Sequence, residues 1–238
     1  MIAGLDGGLR AAALFTTRAG VPVSLAPYSL RVLAQVHPGV RLRVQARKLM
    51  DALLAAAFNA FLERAIAASR GTILDSHVLE ALDSLLFSEL AKYARKEAMK
   101  ALAKLKDGLD LHRPRPAVAV SAAAGLAFPV RRCGGFMARF AGVQRVSIGA
   151  AVSLTSALEY LAAEVLELSG NVANSAQRKI INALHVFEAV RGDGELHAFF
   201  GAALDEVAKG WHCAGVWSHV CQCRACRAVR GRLERRAI

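Results

Sequence analysis

Three groups of residues in this 238-residue chain have types and spacings that chemistry could use. The first is acidic. From Ala150 to Glu206 eight carboxylates (Glu159, Glu164, Glu167, Glu188, Asp193, Glu195, Asp205, Glu206) face three bases, Arg178, Lys179 and Arg191. That stretch is negative inside a protein of formal net charge +12. Clustered carboxylates hold a guanidinium through paired, charge-assisted hydrogen bonds; the competing reading is a solvated helix face. The second group is thiol: Cys213, Cys221, Cys223 and Cys226, interspersed with His212 and His219. Zinc takes four thiolate or imidazole ligands in a tetrahedron, yet two separated CxxC knuckles are missing, so reduced thiols without a metal are the other reading. The third is basic. After Cys221, Arg224, Arg227, Arg230, Arg232, Arg235 and Arg236 oppose only Glu234, a run that attracts phosphates without regard to sequence. None of this is a catalytic set. His37, His77, His112, His185 and His197 are scattered, and no nucleophile stands beside an evident base. The expectation is a binding or structural protein, not an enzyme, with no cofactor other than that zinc option.

The totals agree with a helical, polyanion-binding protein. Hydrophobic residues make up 55% and aromatics 6%. Mean hydropathy is +0.33 and the pI about 10.1. Alanine is frequent, which favours helix over sheet, and the basic balance points to a polyanionic partner. No apolar run is expected to reach the ~20 residues of a membrane span, and the start, MIAGLDGGLRAAALF, does not read as a signal peptide. A cytosolic or nuclear compartment follows, where disulfides are not expected. Cys133 stands alone and is expected to pack as a small apolar residue.

Periodicity supplies the elements. Residues 1–23 are small and nearly uncharged and read as a tail. Ser24 to Val36 reads as a short amphipathic helix closed by Pro38–Gly39. Leu49, Met50, Leu53, Leu54, Ala57, Phe58, Phe61, Leu62, Ala65 and Ile66 form a helical stripe, giving a long helix over about 43–69. Asp75 is expected to cap a shorter helix through Leu86, and Glu89 to Lys106 forms another. Asp107 to Ser121 reads as a linker. The pattern then repeats: a short helix over Val130–Arg139, expected to be distorted by Gly134 and Gly135; a long one over Val152–Asn174; a third over Asn182–Val190; and an extension from Glu195 to about Lys209.

Five segments carry a family resemblance. GLAFPVRR from Gly125, RFAGVQRVSIGAAV from Arg139 and LEYLAAEVLELSGNVAN from Leu158 closely resemble histone 2A. YSLRVLAQVHP from Tyr28 and SELAKYARKEAMKALAKL from Ser88 resemble the first and last helices of histone 2B. Together they resemble a fused histone 2B–histone 2A doublet of the kind known from giant DNA viruses. The resemblance implies an all-α class: two tandem histone folds paired in an intramolecular handshake, a pseudo-heterodimer. It divides the chain into a tail (1–23), a histone 2B-like fold (24–106), a linker (107–121), a histone 2A-like fold (122–209) and a Cys/Arg-rich end with a docking-like segment (210–238).

Site residues follow from the same resemblance. Head-to-tail pairing would set Arg70 and Thr72 beside Arg145, and Arg41 and Arg43 beside Arg178 and Lys179. Arg131, Arg132 and Arg139 would line the first helix of the second half. These ten residues would meet double-stranded DNA. Glu89, Glu97, Glu159, Glu164, Glu167, Asp193 and Glu195 match the family's acidic patch, where arginine anchors of chromatin proteins dock; Gly194 departs from it. The implied function is a single-chain heterodimer that joins histone 3–histone 4-like partners, or a doublet of them, and compacts DNA without a base code. The location would be the host nucleus or a viral factory, and the virion. Two alternatives stand beside it: a stand-alone DNA-compacting virion protein, and a histone-fold subunit of a transcription-regulatory complex.

Overall fold

A computed structural model describes residues 24–108, 120–140 and 145–211. Helix α1 (Ala26–Val36) carries Pro27 in its first turn, where the missing N–H has no partner to lose. Its start is tied down by Asp51, which accepts from the Leu25 N–H at 2.9 Å. Gly39, at φ +82°, turns the chain into strand β1 (Arg41–Leu42) and the long helix α2 (Val44–Ala68). Strand β2 (Thr72–Ile73), helix α3 (Asp75–Leu85) and helix α4 (Ser88–Gly108) complete the first half. The second half holds the short α5 (Val120–Ala123), α6 (Val130–Phe140), β3 (Arg145–Val146), the long α7 (Ile148–Ser175), β4 (Ile180–Ile181), α8 (Ala183–Gly192) and α9 (Gly194–Trp211). Ser147 caps α7 by accepting from the Ala150 N–H at 3.0 Å. Asn182 caps α8 in the same way, from the His185 N–H at 3.0 Å.

Each strand pair joins the two halves. β1 runs parallel to β4, with Arg41 opposite Ile180 and Leu42 opposite Ile181. β2 runs parallel to β3, with Thr72 opposite Arg145 and Ile73 opposite Val146. Because β1 enters α2 while β4 leaves α7, and β3 enters α7 while β2 leaves α2, the long helices pack head to tail. Helices α1, α3 and α4 of the first half lie on α7, and α8 and α9 of the second half lie on α2. Phe58 of α2 meets Phe136 of α6 edge-on at 6.4 Å. Phe61 stacks on Phe199 of α9 at 5.3 Å. One hydrophobic core therefore runs through both halves.

The all-α class is as expected, but several local expectations are corrected. Asp75 is the first helical residue of α3, not its cap; Leu74 takes the cap position, and its N–H donates to His77 Nδ1 at 3.2 Å. Helix α6 is continuous through Gly134 and Gly135. A Cβ at residue 134 would come within 3.1 Å of the Ala151 Cβ, so this glycine lets α6 approach α7 closely. Helix α7 starts at Ile148, four residues before Val152, because Ser147 is a good cap. Both ends of the segment 107–121 are helical: α4 runs to Gly108 and α5 begins at Val120. Helix α9 continues past Lys209 to Trp211. Helix α7 is, by length and composition, long and apolar enough to cross a membrane, contrary to the sequence expectation; its apolar window is mostly buried inside the molecule.

Phe61 is fully buried where the two halves meet. Phe61→Ala is expected to cost about 3–5 kcal/mol in denaturant unfolding. A loss below about 1 kcal/mol would contradict this packing of α9 on α2.

Candidate nucleic-acid interface and acidic surface

The strand pairs gather basic side chains at two corners. At one, the Arg41 N–H donates to the Lys179 carbonyl at 3.0 Å and the Arg43 N–H to the Ile181 carbonyl at 2.9 Å. Arg41, Arg43, Arg178 and Lys179 are all exposed there. Arg47 turns back on this corner, its Nε donating to the Leu42 carbonyl at 3.1 Å. At the other, the Arg145 N–H donates to the Gly71 carbonyl at 3.1 Å, and Arg70, Thr72 and Arg145 are exposed. Gly71, at φ +113°, holds a backbone shape that suits glycine. Parallel pairing adds a further property. Two helices begin at each corner, α2 with α8 and α3 with α7, so two positive helix ends and their unpaired N–H groups sit beside the basic side chains.

A third basic place lies where α1 meets α6. Arg132 sits 5.8 Å from the centre of the Tyr28 ring, and Arg31 sits 5.5 Å from the same ring. Arg131, Arg132 and Arg139 are exposed along α6. Arg31 was missed by sequence reasoning. Its signal was its position three residues after Tyr28, one helical turn along a solvated face.

The seven expected acids lie on adjoining elements, and several are already engaged. The Glu195 carboxylate accepts from the Glu89 N–H at 3.3 Å and the Leu90 N–H at 2.7 Å. It thereby caps α4 from the other half, next to Ser88, whose φ is +40°. Asp193 caps α9 by accepting from the Leu196 N–H at 2.8 Å. Glu159 accepts from the Phe128 N–H at 2.7 Å. Lys92 pairs with Glu89 at 3.1 Å and Lys100 with Glu97 at 3.2 Å, both on exposed surface where such pairs contribute little. Burial holds the Glu159 carboxyl above the ordinary glutamate range, with the Glu97 charge adding to that. Burial does the same for Glu164, helped by Glu167 and Asp193. A groove of about 250 Å³ between α1, α4 and α7 continues this face, lined by Glu97, Lys100, Lys104, Leu126, Glu159 and Tyr160 among others.

Cys213, Cys221, Cys223 and Cys226, His212 and His219, and the terminal arginines lie outside the described residues. Among the described residues no group of three or more His, Cys, Asp or Glu is arranged to hold a metal. Cys133 is fully buried, as expected, and burial pushes its thiol up to about 11.

Comparison with known proteins finds similarity over the C-terminal part of the chain. A histone 2A of Euphorbia esula is 47% identical over 98 residues, 40% of this chain and 64% of its own length. Probable histone 2A.1 of Medicago truncatula is 46% identical over 101 residues, 41% of this chain and 68% of its own length. A crystal structure of the histone from Methanopyrus kandleri superposes at a TM-score of 0.45 and 17% identity, covering 71% of this chain and 93% of that one. No family model matches the chain.

Two expectations follow from the acidic face. Glu195→Ala removes two backbone acceptors at the start of α4; it is expected to cost about 1 kcal/mol and to speed hydrogen exchange at the Glu89 and Leu90 amides. Unchanged exchange there would contradict the cap. The raised Glu159 carboxyl prefers its proton in the folded state, so its charge opposes folding at neutral pH and ceases to do so as pH falls to the ordinary value. Glu159→Gln is therefore expected to raise the denaturation midpoint at pH 7, with the gain gone by about pH 4. An equal gain at both pH values would contradict the burial effect.

Proposed function

The chain belongs to the histone 2A family through its C-terminal part, and from that premise we propose that it packages DNA in nucleosome-like particles, with one chain supplying both members of a histone 2B–histone 2A pair. The observation that carries this reading is the pair of parallel bridges, Arg41–Leu42 with Ile180–Ile181 and Thr72–Ile73 with Arg145–Val146. They use segments from both halves to build each basic corner. A chain that needed a separate histone partner would have no reason to complete both corners by itself. The three basic places would meet phosphates, with Arg145 and its neighbours entering the minor groove. Selectivity would come from DNA deformability and not from base contacts. This is a structural role and not an enzymatic one.

The proposed partners are double-stranded DNA and a histone 3–histone 4-like pair, or a doublet of that kind. The acidic face would receive arginine anchors of other chromatin proteins, chiefly through the exposed Glu167, since Glu159, Asp193 and Glu195 already accept backbone N–H groups and Glu164 accepts from the Tyr160 hydroxyl. The division into a histone 2B-like half, a linker and a histone 2A-like half belongs to this proposal and is supported by the repeated short, long, short order of helices. So does an origin in a large DNA virus, with the host nucleus, viral factory and virion as locations; the resemblance of the joined segments to such doublets supports it. Zinc held by Cys213, Cys221, Cys223 and Cys226 remains a proposal of the sequence alone.

The test is nuclease digestion of DNA mixed with the chain, with and without a histone 3–histone 4 pair. A discrete protected length that needs the pair, near or below the ~147 bp of a standard particle, is the expected result. Continuous protection without the pair would mean stand-alone compaction, and no protection would overturn the proposal. In binding assays with free DNA, Arg70→Ala with Arg145→Ala is expected to weaken affinity evenly across sequences. It should also lower the log–log salt slope by about 2, because each arginine that neutralises a phosphate adds roughly one unit to it. An unchanged slope would remove this corner from the DNA path.

A further inference from the structure

Where α1 ends, a side chain of the first half docks on the backbone of the second half's long helix. His37 Nε2 lies 2.8 Å from the Glu167 carbonyl oxygen. A carbonyl can only accept, so Nε2 carries the proton and donates it. The ring reaches that oxygen across Gly170. A Cβ at residue 170 would stand 2.1 Å from His37 Cδ2 and 2.2 Å from Nε2, well inside any permitted contact. Gly170 is buried in the interior of α7, where glycine costs roughly 1 kcal/mol of helix propensity relative to alanine. The helix carries that cost at the place where the imidazole needs room.

The two halves are repeats in matching register at the starts of their long helices, although α2 ends after 25 residues and α7 after 28. β1 (Arg41–Leu42) precedes the start of α2 at Val44 by the same spacing as β3 (Arg145–Val146) precedes the start of α7 at Ile148. Counted from those starts, Gly170 lies 22 positions along α7 (170 less 148), and Ile66 lies 22 positions along α2 (66 less 44). If register is set by the helix starts, a first half that met a second copy of itself would bring Ile66 to the place that Gly170 holds beside His37. A single Cβ is already excluded there, and isoleucine adds a branched side chain on top of it.

We infer that His37 and Gly170 form a pairing lock, through which the first half accepts a long helix that carries glycine at this position and rejects a second copy of itself. The lock has an attractive part, the hydrogen bond to the Glu167 carbonyl, and a repulsive part, Ile66 at the equivalent place. Specificity needs both, because it is a difference between the right pairing and the wrong one. The lock acts between the halves, on the side of α7 that faces α1, and does not depend on the DNA-binding proposal.

The test uses the full chain in four forms: wild type, His37→Ala, Gly170→Ala and the double variant, each followed by denaturant unfolding. With His37 present, Gly170→Ala is expected to destabilise the fold by about tenfold or more in the folding equilibrium constant, as overpacking does. With His37→Ala in place, the same substitution is expected to stabilise it about fivefold, because alanine is the better helix former. This reversal of sign separates a lock from a merely sensitive position. Equal losses in both backgrounds would overturn it. A second measurement addresses the rejected pairing. Gly170→Ala weakens the proper partner, and adding Ile66→Gly opens the wrong one. Light scattering of Gly170→Ala with Ile66→Gly is expected to show a larger dimeric fraction than Gly170→Ala alone, through contacts between two first halves. The same mass for both proteins would overturn the specificity claim.

Discussion

Helix α7 is buried on every side from Ala150 to Leu158, nine consecutive residues, and no single half of the chain surrounds it. Most helices of a soluble protein keep one polar face for water; a helix buried all round must be encircled. The second half supplies α6 and α8 against it, and the first half supplies α1, α3 and α4. Ser153, Thr155 and Ser156 sit inside this ring as well as the aliphatic residues; Thr155 Oγ1 satisfies itself by donating to the Ala151 carbonyl at 2.6 Å. The two halves are therefore not domains that touch. Each completes the core of the other, and the strand bridges at the two ends of the long helices are a consequence of that encirclement.

The basic corners and the acidic face follow from the same constraint. Head-to-tail packing brings the loop before one long helix to the loop after the other, so each corner collects bases from both halves and the starts of two helices. The flank of α7 that meets α4 is left to carboxylates. There Glu195 of α9 caps the first half's α4, Glu167 is exposed on α7, and Glu164, half-buried, accepts from the Tyr160 hydroxyl at 3.4 Å. The acidic face is thus partly a seam. Glu195 holds a helix end of one half against the other, while Asp193 and Glu159 accept N–H groups of their own half.

Much of the frame was legible in the sequence because it depends on periodicity and on loop residues. The stripe from Leu49 to Ile66 marked α2, and Arg145 and Arg178–Lys179 stood in the loops where the strands formed. What could not be read were the long-range capping contacts. Nothing in the local sequence of Glu195 tells that its partner is the N–H of Leu90, 105 residues away. Gly134 and Gly135 were misjudged because glycine in a helix has two meanings, a weak point or a close approach, and only the position of Ala151 decides between them. Asp75 looked like a cap by residue type, while the Leu74 N–H found His77 instead. Gly170 gave the least warning. Its purpose is set by a histidine from the other half.

The central claim is that one chain completes its own fold. Denaturant unfolding followed over a hundredfold range of protein concentration, with the native mass read by sedimentation, tests that most directly. A 25.3 kDa monomer that unfolds in one transition, at a midpoint independent of concentration, is the predicted result. A dimeric mass, or a midpoint that rises with concentration, would show that the halves pair between chains and would contradict it.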